Sequence, residues 1–310
     1  MPFPHAMILT VPSFAKINWT LKILGRRTDG YHELRTILQT VSLCDTLSLT
    51  RSEVGLELTC NAPGVPLDET NLIQRAARLF ITETRKDFGV RIHLEKRIPV
   101  AAGLGGGSSN AAVTLLALER LFEVRLEPAR RIEIAASLGA DVPFFLLGGS
   151  GIGVGRGDEV HPLHDISFPY LLLVNPGVAV PTVAVYRALP AELTMPYVAD
   201  MMPFSLEAAS RSMSTPLRVL GILSNDLEPG VVARYPLLGE VRKRLIDSGS
   251  TAVLMSGSGA TFFALFDSEA MRSVAQQDLS DTGWWCVPVR TIGRREYRSA
   301  IGIDAGAVQG

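Results

Sequence analysis

The sequence predicts a two-domain protein that mixes strands and helices, with a glycine-rich loop where one strand hands over to a helix. Three observations carry this expectation. At 310 residues the chain is long for a single hydrophobic core, so two units follow from size alone. Its first part alternates apolar and polar residues with the period of a strand, whereas several later segments repeat at helical spacing. Between one such strand and one such helix lies the run Pro99-Val100-Ala101-Ala102-Gly103-Leu104-Gly105-Gly106-Gly107-Ser108-Ser109.

Taken in order, Ile8–Leu24 and Thr40–Thr50 read as strands, separated by the polar turn cluster Gly25-Arg26-Arg27-Thr28-Asp29-Gly30. Leu72–Thr84 reads as a helix with Leu72, Ala76, Leu79 and Phe80 on one side. Val90, Ile92 and Leu94 then alternate with Arg91, His93 and Glu95, as in a half-buried strand. After the glycine run, Ala111, Leu115, Leu118 and Phe122 recur at helical spacing, with Ala112 and Leu116 beside them. Residues 129–138 predict another helix, closed by Gly139. Gly149, Gly151, Gly153, Gly155 and Gly157 fall at every second position. In one strand that would strip a whole face, onto which a helix, a sheet layer or a ligand packs. Composition shifts after Val160, placing a boundary between residues 1–160 and 161–310, with the last ~20 residues able to return to the first unit. The second unit reads as the strand Tyr170–Val174, a loop over Pro190–Pro203, a helix over Leu237–Ile246, and strand–turn–strand over Ala252–Phe266.

Bulk properties exclude several classes. A net charge of −1 makes no electrostatic case for nucleic acid or an anionic membrane. Cys44, Cys60 and Cys286 match neither a disulfide framework nor a zinc pattern. His161 and His164 are spaced like metal ligands, but no carboxylate or cysteine cluster accompanies them, so a solvated loop is expected and no metal site. The N-terminus lacks the basic segment and apolar core of a signal peptide, and Val142–Gly155 is short and broken for a membrane span, so a cytoplasmic location is expected. No Gly-x-Ser-x-Gly elbow occurs.

The glycine run is where chemistry is most legible. Small residues leave backbone N–H groups uncovered at a helix N-terminus, where the helix dipole adds partial positive charge, a combination that attracts phosphate. The run is neither a Walker loop, since no lysine follows the glycines, nor Gly-x-Gly-x-x-Gly, since Ser108 takes the third glycine position. A flexible linker or a plain tight turn is the alternative. Three further clusters stand out. If Ala15 and Ile17 face the core, Lys16 and Asn18 share the opposite face. Tyr31 and His32 join an aromatic ring to an imidazole beside a turn, suited to a planar ring. Asp141 is a carboxylate in the apolar run Val142-Pro143-Phe144-Phe145, costly unless paired or used. A helix N-cap is its bland role, but the residues after it do not read as an amphipathic helix.

Together these clusters resemble the GHMP kinases. The strings AKINWTLKILGRRTDGYHEL, IPVAAGLGGGSSNAA, LGADVPFF, PGVAVPT and MSGSGATFF carry the likeness across nearly the whole chain. Ala101 and Ala102 stand where many members have glycine. The resemblance implies an α+β protein of the two-domain GHMP kinase fold. Its N-terminal domain would be ribosomal-protein-S5-like and its C-terminal domain ferredoxin-like, with the active site between them. It implies Lys16 and Asp141 as the catalytic pair, and Pro99–Ser109 around the phosphates of ATP, with Asn71 and Lys96 near the nucleoside. It implies Tyr31, His32 and Tyr186 around a cytosine, Asn18 and Thr182 along the substrate, and the Gly257-Ser258-Gly259 turn against the phosphate loop. The activity implied is transfer of phosphate from ATP, with Mg2+ carried by the nucleotide, to the 2-hydroxyl of a cytidine diphosphate-linked methylerythritol. A monomer or weak homodimer is expected, with a small molecule as the only partner. A different kinase of the family would not need Tyr31 and His32, and a nucleotide binder without catalysis would need neither Lys16 nor Asp141.

Overall fold

The protein is described as a computed structural model covering residues 8–53, 55–85, 89–190, 193–195 and 220–303. Two long strands, β1 (Leu9–Arg26) and β2 (His32–Ser52), form an antiparallel hairpin closed by the polar turn cluster. Strand β2 starts at His32 rather than at Thr40. Thr36, Ile37, Leu38 and Gln39 are all buried, so both faces of this stretch are covered and the alternation that marks a strand disappears. Strands β3 (Leu56–Cys60), β4 (Gly89–Glu95), β5 (Ser150–Val154) and β6 (Glu159–Pro162) extend the sheet. Strand β4 pairs with β2 and β3, while β5 pairs with another stretch of β2 and with β6.

Four helices cover one face of this sheet: α1 (Leu72–Thr84), α2 (Gly106–Phe122), α3 (Pro128–Leu138) and α4 (Val142–Leu147). Their apolar stripes, among them Phe80, Leu115, Leu118 and Phe144, meet Leu47, Leu49, Ile92 and Leu94 of the sheet in one core. A second sheet has the antiparallel order β11 (Trp285–Val289), β7 (Leu171–Asn175), β10 (Phe262–Leu265) and β9 (Ala252–Met255). Strand β7 is buried on both faces. Leu171 and Leu173 join Ile17, Trp19 and Phe263 in a core between the two sheets. Leu172 and Val174 pack the other way, toward helices α7 (Pro236–Asp247) and α8 (Glu269–Asp278). The Trp19 and Phe263 rings meet edge to face at 5.4 Å. The two sheets are further tied by β8 (Ser224–Asn225), which pairs in parallel with Thr20 and Leu21 of β1. Between them in the chain lie α5 (Thr182–Arg187) and, after β8, α6 (Glu228–Arg234). The last helix, α9 (Arg294–Ala300), sends Tyr297 into the core of the first sheet, where its hydroxyl donates to the Phe145 carbonyl at 2.5 Å.

Three local expectations change. Only Gly151 and Gly153 of the glycine series lie in strand β5. A Cβ on Gly151 would meet Val160 and Leu147, and one on Gly153 would meet the Gly157 carbonyl at 2.8 Å, so the hairpin and α4 pack on this face. His161 sits in strand β6 rather than in a loop, with its ring Nε2 3.0 Å from Glu159. A short helix, α4, does follow Asp141 despite its lack of an amphipathic pattern, because it is buried among the other helices. Of the Pro190–Pro203 loop, residues 191–192 and 196–203 lie outside the described residues.

Candidate active site

A cleft of about 1250 Å³ opens between the glycine loop, the β1–β2 hairpin and α5. The register of β1 against β2 slips between Phe14 and Ala15 and again between Asn18 and Thr20. Bulges of this kind re-aim side chains. Ala15 and Ile17 enter the core, and Lys16 and Asn18 line the cleft. Lys16 Nζ donates to Asn18 Oδ1 at 2.8 Å, the Asn18 amide donates to the Thr36 hydroxyl at 2.7 Å, and that hydroxyl donates to the Thr20 carbonyl. This chain of bonds fixes the ammonium in place. Asp141 Oδ2 lies 3.4 Å from Lys16 Nζ. The Lys16 side chain is only 4% exposed and that of Asp141 36%, so the carboxylate is the member of the pair a ligand can reach. Asp141 occupies the cap position of α4, yet its side chain makes no capping bond.

The loop Pro99–Ser108 lines the same cleft. No side chain caps the N-terminus of α2, whose cap residue Gly105 has a left-handed φ of 67°. A Cβ there would sit 2.9 Å from Lys16 Cγ, so the lysine stem runs directly over the glycine. At Gly103, φ is +76° and a Cβ would lie 2.1 Å from the Ser256 carbonyl oxygen. Ser256 Oγ also donates to the Gly103 carbonyl at 2.9 Å, and the Thr261 amide donates to that of Ala102 at 3.3 Å. The late Gly257-Ser258-Gly259 turn therefore lies against the loop, with Thr182 and Ser258 hydroxyls 2.8 Å apart beside it. Ala101 adopts a φ of +53°, a conformation glycine enters without steric cost. Ser109 departs from expectation. It lies one turn into α2, fully buried, and accepts a bond from Ser13 at 2.8 Å. Its amide is already spent on the Gly105 carbonyl, so it does not line the cleft.

At the other end of the cleft, the His32 and Tyr186 rings face each other at 5.5 Å, tilted by 32°. His32 Nε2 is buried with no hydrogen-bond partner among the described residues. Burial, then the nearby Arg26, lowers the imidazole pKa from its usual 6.5, so the ring is neutral at pH 7. Burial also pushes the Tyr186 phenol up, with a smaller push from Asp141. Tyr31 is 59% exposed. Over its ring, 5.3 Å from the centroid, stands the guanidinium of Arg156. Arg156 was not singled out from the sequence, where it is one charged residue among many.

Asn71 and Lys96 both line the cleft but are committed to structure as well. Asn71 caps α1 by accepting from the Ile73 amide at 2.8 Å. Lys96 Nζ is 2.6 Å from Asp45. Burial lowers the pKa of Lys96 and Asp45 opposes that shift. Among the described residues, no group of three His, Cys, Asp or Glu side chains gathers as a metal cage, and no helix is long and apolar enough to cross a membrane.

Comparison with known proteins is consistent along the chain. Residues 71–149 match the family model of the GHMP kinases N terminal domain, and residues 206–283 match that of the GHMP kinases C terminal. A protein of Citrifermentans bemidjiense named 4-diphosphocytidyl-2-C-methyl-D-erythritol kinase is 43% identical over 280 residues, covering 90% of this chain and 97% of the relative. A protein of the same name from Moorella thermoacetica is 38% identical, covering 92% of this chain and 99% of that one. A crystal structure of 4-(cytidine 5'-diphospho)-2C-methyl-D-erythritol kinase superposes with a TM-score of 0.74 at 37% identity, covering 92% of this chain and 100% of that chain. A homoserine kinase from Cytophaga hutchinsonii shares the fold at 17% identity, with a TM-score of 0.69 over 95% of this chain and 97% of that one. Identity at this level over nearly full length, on both halves of one fold, leaves a single assignment: the chain belongs to the GHMP kinases, in the family of the 4-diphosphocytidyl-2-C-methyl-D-erythritol kinases.

Proposed function

We propose that this protein transfers the γ-phosphoryl group of ATP to the 2-hydroxyl of 4-diphosphocytidyl-2-C-methyl-D-erythritol, giving the 2-phosphate and ADP, a step of non-mevalonate isoprenoid synthesis in the cytoplasm. The observation that carries this reading is one cleft holding three things together. A Lys16–Asp141 pair lies at 3.4 Å, an uncapped glycine-rich helix start lies beside it, and an unpartnered His32 nitrogen lies near Tyr186 and Tyr31. The likeness to relatives of that name supports the choice of acceptor.

Phosphoryl transfer asks a protein mainly for position and charge. The free amides at the start of α2 and loop backbone Pro99–Ser108 receive the phosphates. The acceptor oxygen attacks the γ-phosphorus as the bond to the β-phosphate oxygen breaks, and its proton passes to the Asp141 carboxylate. A tertiary alcohol is too weak an acid to ionise first, so that proton leaves late. Lys16, anchored by Asn18, holds Asp141 in place and presents positive charge to the cleft. Asn18 and Thr182 line the path of the acceptor. Tyr31 and Tyr186 offer ring faces to cytosine, and the neutral His32 ring offers Nε2 to its edge. Mg2+ would neutralise phosphate charge. It would arrive carried by the nucleotide. The units of residues 1–160 and 161–310 would each supply one wall of the cleft, although β6 (Glu159–Pro162) straddles that line.

A coupled ADP-release assay tests the assignment, with the cytidyl substrate run beside mevalonate and homoserine. Turnover is expected with the cytidyl substrate alone; turnover with either of the others at equal efficiency would refute the acceptor assignment.

A further inference from the structure

Beneath the glycine loop lies a charged cluster that the chemistry above does not use. Asp45, on β2, is fully buried. Its Oδ1 accepts from the amides of Arg97 and Ile98, both at 2.8 Å. Its Oδ2 accepts from Lys96 Nζ at 2.6 Å and from Asn110 Nδ2 at 3.0 Å. These partners lie on opposite sides of the loop in the chain. Lys96, Arg97 and Ile98 lead into it, and Asn110 belongs to the first turns of α2 that follow it. One carboxylate thus ties the entry of the loop to its exit. Asn110 also donates to Ser13 at 2.9 Å, and Ser13 to Ser109, so the exit is bonded to β1 as well.

The same carboxylate determines where a positive charge sits. Lys96 Nζ lies 2.9 Å from where a Cβ on Gly106 would be, which puts the ammonium against the first residue of α2. The side chain is 8% exposed and lines the cleft. The Arg97 and Ile98 amides give Asp45 a structural role, but an ion pair with Lys96 is not needed for that, since a buried pair adds little to stability over apolar residues. A paired charge kept at a helix N-terminus is explained better by what it does to an anion arriving there. Without Asp45 the ammonium would be desolvated and unpaired, and two loop amides would lose their acceptor.

We infer that Asp45 is a positioning residue for the nucleotide phosphates: from below the loop it holds the Lys96 ammonium and both ends of Pro99–Ser109 in the geometry that receives them. The inference rests on the ATP reading of this loop, and its test separates the two. Binding of a non-hydrolysable ATP analogue is measured by calorimetry, and the KM values for ATP and for the cytidyl substrate are measured separately. In Asp45→Asn one acceptor oxygen remains for the Arg97 and Ile98 amides, but an amide nitrogen then faces Lys96 and Asn110. Losing bonds to a charged group should raise the ATP KM and the analogue Kd by about tenfold or more. The KM for the cytidyl substrate should stay within about twofold, which a general loosening of the fold would not allow. Equal increases for both substrates, or an unchanged ATP KM, would overturn the inference. Should Asp45→Asn fail to fold, Asn110→Ala removes a neutral partner from the same carboxylate. It is expected to weaken ATP binding by about threefold with the cytidyl KM unmoved; wild-type ATP affinity in that variant would equally overturn it. A wild-type protein that fails to bind the analogue would instead strike the ATP reading itself.

Discussion

Exchanging Asp141 for asparagine keeps the size and polarity of the side chain but leaves an amide oxygen, a very poor proton acceptor. Two consequences differ in magnitude, and the structure separates them. Asp141 makes no capping bond to α4, its side chain is 36% exposed, and Lys16 keeps its 2.8 Å bond to Asn18 when the carboxylate is gone. The folding cost lies between that of an exposed ion pair and that of a buried one, on the order of 1–3 kcal/mol, because Lys16 is buried but keeps Asn18 as a partner. The loss of a positioned base is larger: turnover should fall by about 10²–10⁴, equivalent to roughly 2.7–5.4 kcal/mol of barrier. The assay is coupled ADP release at saturating concentrations of both substrates, with calorimetric binding of each to show that the site is still formed. Lys16→Met keeps much of the stem that packs over Gly105 and removes the charge. If the two residues act as a unit, the double variant should be little slower than the poorer single one. Additive losses would give Lys16 a separate role on the moving phosphoryl group. Near-normal turnover in Asp141→Asn, with both ligands bound, would refute the base assignment and leave position and charge as the whole mechanism.

Gly103→Ala places a methyl group 2.1 Å from the Ser256 carbonyl in a left-handed conformation, which by itself costs alanine about 1–2 kcal/mol. The loop should leave the Gly257-Ser258-Gly259 turn and ATP binding should weaken by about tenfold or more while the circular dichroism is retained. Unchanged ATP binding would remove the loop–turn contact from the site. Tyr31→Ala should cost the cytidyl substrate about 1–3 kcal/mol of stacking and spare ATP, whereas equal weakening of both ligands would move Tyr31 out of acceptor recognition. His32 links the site to pH. Because burial and Arg26 lower its pKa below 6.5, the unfolded chain takes up a proton below pH 6.5 that the folded ring refuses, and stability falls as pH drops through that window. Urea midpoints between pH 7.5 and 5 should therefore fall less steeply in His32→Gln than in the wild type; identical slopes would contradict a neutral ring with a covered Nε2.

Local pattern determined much of this protein. The helix over Leu72–Thr84 and the strand around Val90–Leu94 have the limits or period read from hydrophobic spacing, because each buries a single face and periodicity reports a face directly. The glycine loop was legible for a related reason: backbone that must approach a ligand or another chain segment closely needs residues without side chains, and these are visible one by one. Periodicity does not report partners. That Lys16 meets Asp141 depends on two register slips in β1 and on a short buried helix without amphipathic pattern. Ser109 belongs to the glycine–serine run by sequence but turns inward because helical phase at that point carries it to Ser13. The start of β2 was hidden because both of its faces are covered, Leu38 in the core under the helices and Ile37 in the core between the two sheets. Arg156 over Tyr31 and Asp45 beneath the loop were silent for the same cause. Each is one charged residue among many on the chain, and only long-range packing, which sets what lies within 3 to 5 Å of it, turns it into part of the site.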